Sequence, residues 1–204
     1  MEKIDYFKDQ KELYFPKKDN PVFVDIPEFN FLMVDGKGNP NTSKEYQDSI
    51  QALFSLSYTL KFMFKKGKEQ IDYKVMRLEG LWWSKDMDDF MAGKKDNWFW
   101  TSMIRQPDFI TKENIETAME AVRKKKPEID LSKVRFEKFK EGTSSQIMHI
   151  GPFSEEGPNI LKVHELIESQ GFKLSGKHHE IYLSDIRRAD PKKWKTIIRQ
   201  PYAK

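Results

Sequence analysis

The stretch Lys177-His178-His179-Glu180-Ile181-Tyr182-Leu183-Ser184-Asp185 organises the chain, because it places one carboxylate inside an alternating, strand-like run. The segment Ile197-Ile198-Arg199-Gln200-Pro201 follows it. An earlier pair of segments has the same form, since the strand-like run Val75–Trp83 precedes Met103-Ile104-Arg105-Gln106-Pro107. The Ile-Arg-Gln-Pro motif therefore occurs twice. The sequence predicts two copies of one unit, each with a Glu inside a strand: Glu79 in the first copy and Glu180 in the second.

Capping signals predict three long helices between the predicted strands. Thr42-Ser43-Lys44-Glu45 matches a capping box, with Thr42 as the N-cap, and the helix runs to about Lys66. Thr111 caps a second helix, and a third begins at Pro158. Each half then follows the order strand, turn, strand, helix, strand, loop, strand. This order predicts an α+β fold: a tandem, pseudo-symmetric pair of βαββ-like units with antiparallel sheets, helices and a central ligand cleft.

The predicted strands have approximate bounds. Two strands flank a turn around Pro27 within residues 22–34, and the later ones cover residues 71–83, 98–104, 134–139, 146–150, 174–183 and 195–199. Residues 1–20 are predicted to be an irregular N-terminal arm, and residues 21–204 a single domain. Its first half spans about 21–110, the connecting helix 111–126 and the second half about 134–204. Equivalent residues of two such halves can face one shared cleft, by analogy with two-fold dimers.

Composition limits the classes of protein that the chain can belong to. Its 204 residues include 15 Phe, 7 Tyr and 5 Trp, so it can bury a sizeable core. No apolar run approaches the roughly 20 residues that cross a bilayer, so we expect no membrane association. The absence of Cys excludes disulfides and a thiol nucleophile, and it fits a cytoplasmic protein. The net charge of +4 is mild and no nucleic-acid motif occurs, so we expect no nucleic-acid partner.

The two strand carboxylates are the first candidates for chemistry. Alternation places Glu180 on one face with His178 and Tyr182. In an apolar cleft a carboxylate resists ionisation, and it can then act as an acid or base or bind a cation. The structural alternative for each Glu is an exposed position on an edge strand, or an ion pair with Arg77, Arg187 or Arg188.

Aromatic side chains around Glu79 are the second candidates. Glu79 shares a face with Leu81 and Trp83, and Trp98 and Trp100 lie on the next predicted strand. Such rings belong to a hydrophobic core in most proteins, but flat aromatic walls also suit planar or cationic ligands. We therefore take the candidate ligand-binding residues to be Leu81, Trp83, Trp98, Trp100 and His178.

No motif in the sequence indicates a metal or a cofactor. The four His do not follow HExxH or another metal-ligand spacing, and His164 lies on an apolar helical stripe typical of a core residue. Phosphate-binding and nucleophile-elbow motifs do not occur either. We expect no metal and no cofactor.

Several spaced motifs together resemble the GyrI-like family. They are Gly36-Lys37-Gly38 with Pro40-Asn41-Thr42, Leu78–Trp83, the two Ile-Arg-Gln-Pro segments and His178–Asp185. The resemblance runs from about Pro21 to Tyr202 and implies the tandem, pseudo-symmetric α+β fold. Some members of the family are the drug-sensing domains of transcription regulators, one group inhibits DNA gyrase, and stand-alone members include hydrolases of cyclopropane-bearing genotoxic natural products.

The resemblance implies that Glu180 is the central acidic residue, with Tyr182 beside it and Glu79 as a further candidate. The first hypothesis is an enzyme in which Glu180 deprotonates a water that opens a strained cyclopropane ring. The second is a module that senses or sequesters cationic aromatic compounds without turnover, and the third is a protein that inhibits gyrase by contact. We expect a planar hydrophobic or cationic small molecule as the partner. A monomer or weak dimer is expected because one chain supplies both halves.

Overall fold

A computed structural model describes residues 3–85 and 93–204 of the chain. The strands are β1 Lys3–Ile4, β2 Val22–Lys37, β3 Asp72–Tyr73, β4 Leu78–Trp83, β5 Phe99–Gln106, β6 Arg135–Ile150, β7 Lys173–Leu174, β8 His178–Tyr182 and β9 Lys195–Ala203. The helices are α1 Tyr6–Asp9, α2 Lys11–Tyr14, α3 Lys44–Lys66, α4 Lys112–Lys125 and α5 Gly157–Ser169. The polar composition of residues 86–97 predicts a loop, most of which lies outside the described residues. In the described ranges, no helix is long and apolar enough to cross a membrane.

The predicted α+β class and the internal repeat are confirmed by the order of the elements. The first copy consists of β2, α3, β4 and β5, and the second of β6, α5, β8 and β9. Each copy also has a two-residue strand between its helix and the next long strand: β3 precedes β4 in the first copy, and β7 precedes β8 in the second. Each copy is therefore a βαββ unit.

The chain forms two compact units, and each unit contains segments from both halves of the sequence. Among the described residues, unit 1 contains 3–6, 29–76, 83–85 and 93–139, and unit 2 contains 7–28, 77–82 and 140–204. Residues 77–82 belong to unit 2 because β4 pairs there with β8, from Glu79 opposite Ile181 to Trp82 opposite His178. Strand pairing, not position in the sequence, therefore decides which unit contains Glu79.

Unit 1 is built around the antiparallel pair of β2 and β5. The pairing runs from Asn30 opposite Gln106 to Lys37 opposite Phe99. Helix α3 contributes an apolar stripe to the core at near-helical spacing. Its fully buried aliphatic side chains are Leu53, Leu56 and Leu60. The short strand β1 pairs in parallel with β3.

Unit 2 contains an antiparallel sheet in which β8 lies between β4 and β9. On its other side β9 pairs with β6, from Ser144 opposite Pro201 to Ile150 opposite Lys195. Helix α5 packs its buried face against this sheet. The resulting core cluster contains Ile147, Val163, Ile167, Ile198 and Tyr202. Because β8 is central, both of its edges are paired, and β4 and β9 flank Glu180 on either side.

Two predicted turns lie inside continuous strands. The predicted turn at Pro27 is wrong, because β2 runs unbroken; Pro27, which has no N–H to donate, precedes the pairing with β5 that begins at Asn30. The composition of Glu141-Gly142-Thr143-Ser144 also predicts a turn between the strands at 134–139 and 146–150, but these residues are part of one strand, β6. There Gly142 has a φ of +74°, a conformation that glycine adopts without strain.

Two further boundaries differ from the sequence-based expectation. Ser43, not Thr42, is the N-cap of α3, because its hydroxyl accepts a hydrogen bond from the N–H of Tyr46. The predicted strand at 174–183 is divided into β7 and β8, and Gly176 lies between them with a φ of +63°. The capping box at Thr111, by contrast, is present, with reciprocal hydrogen bonds between Thr111 and Asn114.

The N-terminal arm has more structure than an irregular segment. It contains β1, α1 and α2, and the side chains of Phe7, Leu13 and Tyr14 are buried. In unit 2 the backbone carbonyl of Glu12 accepts a hydrogen bond of 2.7 Å from Gln146 Nε2. The carbonyl of Leu13 accepts one from Arg199. The end of the arm is therefore fixed to the sheet of unit 2 through its backbone.

Candidate active site

Glu180 lies on one face of β8 together with His178 and Tyr182, and we call this surface the Glu180 face. Tyr182 donates its hydroxyl hydrogen to Glu180 Oε2 over 2.8 Å. His178 Nε2 lies 3.2 Å from Glu180 Oε1. Because an ionised carboxylate only accepts hydrogen bonds, that nitrogen carries the hydrogen. Each oxygen of Glu180 has a fixed donor, so the carboxylate is held in one orientation.

Glu180 is ionised although it is mostly buried. Its side chain is 13% exposed. Burial alone would raise the pKa of Glu180, but hydrogen bonds from His178 and Tyr182, with a further contribution from Glu156, hold its pKa below the ordinary value. The part of the carboxylate that is still accessible can accept a proton from a bound water or attract a cation.

The strand β4 covers one side of the Glu180 face. Gly80 is the Cα partner of Glu180 across the two strands. Trp82, two residues further along β4, donates its indole N–H to the Tyr182 hydroxyl oxygen over 2.9 Å. A Cβ at position 80 would lie 2.6 Å from Trp82 Nε1 and 3.0 Å from the Tyr182 oxygen. Gly80 therefore leaves the space in which these two groups meet.

The segment that precedes α5 supplies further groups to the Glu180 face. The ring of Phe153 packs edge-on against that of Tyr182, with 5.6 Å between the centroids. Glu156 from the same segment is buried, and it hydrogen-bonds to the ionised Glu180 as a donor, which requires that Glu156 carry a proton. The carboxylate of Glu180 is thus surrounded by aromatic rings and by polar groups that favour its charge.

Glu79 lies on the opposite face of the sheet from Glu180, in a buried charge cluster formed by Glu79, Glu141, His179 and Arg199. His179 donates from Nδ1 to Glu141 over 2.8 Å and from Nε2 to Glu79 over 3.0 Å. Both ring nitrogens therefore carry hydrogen, and the imidazole is a cation. Burial alone would lower the pKa of His179, but the carboxylates of Glu141 and Glu79 outweigh it and raise the pKa to about 9.

Arg199 completes the charge cluster. One terminal guanidinium nitrogen lies 3.5 Å from Glu141 Oε2, and Nε donates to Gln146 Oε1 over 2.7 Å. Burial opposes ionisation of Glu141, but the charges of His179 and Arg199 hold its pKa below the ordinary value. Two carboxylates thus face two cations, so the cluster is electrically neutral although its side chains are at most 3% exposed.

The other predicted ligand-binding residues have different surroundings. Leu81 is buried and is the Cα partner of His179, which places it on the face of the charge cluster. In unit 1 the ring of Trp83 stacks on Phe99, and Lys95 lies over Trp98. Trp100 is fully buried in unit 1, with its ring edge-on to Tyr46. The structure brings His178, Glu180 and Tyr182 together; the described contacts of Leu81, Trp83, Trp98 and Trp100 are with other groups.

Neither face of β8 forms a metal site in the described ranges. Among residues 3–85 and 93–204, no group of three or more His, Cys, Asp or Glu is arranged to hold a metal ion. His149 is held by contacts with the Pro152 carbonyl and with Asn159. Burial lowers the pKa of His164, which favours its neutral form. His178, Glu180 and Tyr182 can supply acid–base and electrostatic chemistry.

Four residues near the two carboxylates are not predicted from the sequence: Trp82, Glu141, Phe153 and Glu156. Alternation along the strand does indicate that Trp82 and Gly80 lie on the opposite face from Glu79. Only the register between β4 and β8, however, shows that this is the face of Glu180. Glu156 and Phe153 come from an irregular segment whose position depends on tertiary packing. Glu141 lies in a stretch whose composition predicts a turn.

The chain belongs to the GyrI-like small molecule binding domain family, whose model matches residues 19–203. It is a small-molecule-binding domain of that family.

Comparison with solved structures supports the same assignment. An uncharacterized conserved protein from Listeria innocua is 46% identical, with a TM-score of 0.90, over 98% of this chain and 100% of that one. A protein described as a hydrolase from the same organism is 45% identical, with a TM-score of 0.87, over 98% and 100%. The C-terminal domain of EcmrR shares the fold, at 15% identity and a TM-score of 0.57, over 91% and 98%. No functionally curated protein matches the chain.

Proposed function

We propose that the protein is a hydrolase that opens the cyclopropane ring of genotoxic natural products by Glu180-assisted attack of water. The observation that carries this proposal is the state of Glu180, which is ionised, partly accessible and fixed by a donor on each oxygen. A carboxylate oxygen has more than one lone pair, so each oxygen can still accept a hydrogen bond from a water. Such a water would be both oriented and activated.

The reaction would proceed in one displacement. The water oxygen forms a bond to a ring carbon, the adjacent ring C–C bond breaks, and its electron pair passes to the conjugated carbonyl group of the substrate. One water proton passes to Glu180 and then to the oxygen of that carbonyl group, so that the net change is the addition of one water. Ring strain supplies the driving force, and the residues need to supply only a base and orientation.

A relative adds support to the enzymatic form of the proposal. The Listeria innocua protein that is 45% identical over nearly the whole of both chains is described as a hydrolase. Hydrolysis by this chain needs no metal in the proposed step. In this proposal Glu180 is the base and Tyr182 orients it. The candidate catalytic role of Glu79 becomes an indirect one, because its carboxylate contacts His179 on the opposite face.

A second proposed function is the binding of cationic aromatic compounds, because the Glu180 face combines a negative charge with aromatic rings. Glu180 is an anion beside Tyr182, and Trp82 and Phe153 lie next to Tyr182. A buried anion beside aromatic rings attracts flat cations. The protein would then bind or sequester cationic aromatic compounds without changing them.

The test is incubation of the purified protein with a duocarmycin-type cyclopropane compound, followed by chromatography and mass measurement. We expect a product heavier by one water, and we expect Glu180→Gln to form it at least about 100-fold more slowly. Glu168→Gln is the matched control, because Glu168 is an exposed carboxylate of the same unit. Intact compound together with quenching of Trp fluorescence would support binding alone. If the compound is not turned over and does not quench Trp fluorescence, both proposed functions are rejected.

A further inference from the structure

We infer that Trp82 is a positioning residue for Glu180 and that it acts through the hydroxyl group of Tyr182. The inference deepens the proposed function and rests on it for its catalytic consequence. Three groups form a chain of hydrogen bonds: Trp82 Nε1 to the Tyr182 oxygen at 2.9 Å, and the Tyr182 hydroxyl to Glu180 Oε2 at 2.8 Å.

The direction of this chain follows from the donors that each group has. An indole nitrogen only donates, so Trp82 occupies a lone pair of the Tyr182 oxygen. A tyrosine hydroxyl has a single hydrogen, and the ionised carboxylate of Glu180 only accepts. The hydrogen of Tyr182 is therefore directed to Glu180. A hydroxyl that already accepts a hydrogen bond is also a stronger donor, because consecutive bonds polarise one another.

The fold maintains this arrangement in two ways. Trp82 is 3% exposed, so water cannot readily replace its N–H at the Tyr182 oxygen. Gly80 leaves the necessary space, because a Cβ at that position would lie 2.6 Å from Trp82 Nε1. Glycine at position 80 and tryptophan at position 82 thus serve the same contact, one by its lack of a side chain and the other by its N–H group.

The catalytic consequence concerns the orientation of Glu180. His178 holds Oε1, and the pair of Trp82 and Tyr182 holds Oε2. Without the indole N–H the Tyr182 hydroxyl can rotate away from the carboxylate, and the orientation of Glu180 is then determined by His178 and Glu156. We expect the loss to affect the chemical step more than the binding of the substrate.

The test uses Trp82→Phe, which keeps an aromatic ring and removes the N–H donor. With the duocarmycin-type compound we expect kcat to fall by about 10-fold while KM stays within about two-fold. Trp194→Phe is the matched control, because Trp194 also loses an indole hydrogen bond, to the Ala189 carbonyl at 2.9 Å, in the same unit. We expect the control to retain wild-type kcat.

A second measurement does not depend on turnover. Infrared difference spectra against Glu180→Gln follow the protonation of the Glu180 carboxylate with pH. We expect Trp82→Phe to raise the midpoint and Trp194→Phe to leave it unchanged. We also expect Trp82→Phe to add nothing further in a Tyr182→Phe background, since Trp82 acts through that hydroxyl.

The outcomes distinguish the inference from the proposed function. If the wild-type protein does not hydrolyse the compound but Trp82→Phe raises the Glu180 midpoint, the proposed function fails and the positioning role stands. If both the midpoint and kcat are unchanged in Trp82→Phe, Trp82 is a core residue only and the inference is overturned. Should Trp82→Phe not fold, incorporation of benzothienylalanine at position 82 preserves the shape of the ring system and removes only the donor, with the same two outcomes.

Discussion

Glu79 and Glu180 lie on neighbouring antiparallel strands but point to opposite faces of one sheet. Glu180 is directly opposite Gly80, and Glu79 is directly opposite Ile181. The adjacent residues His178 and His179 each contact one of the two carboxylates, His178 that of Glu180 and His179 that of Glu79. The pairing of β4 with β8 therefore places two Glu–His pairs back to back, one partly accessible and the other fully buried.

Replacement of each Glu by Gln should separate the two pairs. Glu79→Gln removes a charge-assisted hydrogen bond to His179 and should lower the free energy of unfolding by about 1–3 kcal/mol. Its effect on turnover should be smaller than that of Glu180→Gln. Chemical denaturation and the product assay on both variants check this. Loss of turnover in Glu79→Gln at unchanged stability would show that Glu79 takes part directly in the reaction.

The charge cluster should make stability depend on pH above neutrality. The pKa of His179 in the folded protein is about 9, above its ordinary value of 6.5. A group whose pKa is raised by folding binds its proton more tightly in the folded state, so its contribution is complete below about pH 6.5 and declines as pH rises through about 9. Denaturation at a series of pH values should show this decline. In His179→Gln the same pH range should show a flatter profile.

The turnover of the proposed substrate should depend on pH in the acid range, whereas the stability should depend on pH above neutrality. Because the pKa of Glu180 lies below its ordinary value, the base is ionised throughout the neutral range. The rate should be level there and fall only in acid, as Glu180 becomes protonated. A pH–rate profile for kcat/KM measures this directly. A rate that rises through neutral pH would assign the base to another group.

Arg199 should be irreplaceable by Lys although both side chains are cations. Arg199 contacts Gln146, Glu141 and the Leu13 carbonyl with three different nitrogens, and an ammonium group cannot reproduce this geometry. We expect Arg199→Lys to cost about 2 kcal/mol of stability or more. Hydrogen exchange should also become faster at the amides of α2. Arg188→Lys, at an exposed position, is the control and should change neither quantity.

Gly142 offers a clean test of backbone strain. Its φ is +74°, and a Cβ at this position would meet no atom within 4 Å. Gly142→Ala should therefore destabilise the protein by about 1–2 kcal/mol through the left-handed backbone alone. Gly157→Ala also meets no atom, but Gly157 is the first residue of α5. That substitution should be neutral or stabilising, because Ala favours a helix. Equal effects of the two substitutions on the melting temperature would contradict the explanation.

The sequence carries the features of the fold that depend on local chemistry. The repeated Ile-Arg-Gln-Pro motif and the apolar periodicity of the helices are sufficient to predict a duplicated βαββ order, which the structure confirms. The continuity of β6 could not be predicted, because Glu141-Gly142-Thr143-Ser144 has the composition of a turn. The glycine there permits an unusual backbone angle without ending the strand, and pairing with β9 sustains the strand from Ser144 onwards.

The candidate site also has features that the sequence predicts and others that depend on the pairing of distant strands. The common face of His178, Glu180 and Tyr182 needs only the period of two within one strand. The role of Trp82 needs the register between two strands that are far apart in sequence. The charge cluster needs more still, because Glu141, His179 and Arg199 come from three strands. No pattern within a single segment contains that information.

The hydrogen bond between Arg199 and the Leu13 carbonyl has a consequence for how the protein is made. It joins residues 186 positions apart, so Leu13 is synthesised long before the donor that binds its carbonyl. The arm can acquire this partner only after the intervening residues have been made. Until then the apolar side chains of Phe7, Leu13 and Tyr14 lack the contacts that bury them in the folded protein. Contacts between residues far apart in the sequence form slowly, and apolar side chains that stay exposed meanwhile favour aggregation. Substitutions in the arm should therefore reduce the expression yield of the protein more strongly than they reduce its equilibrium stability.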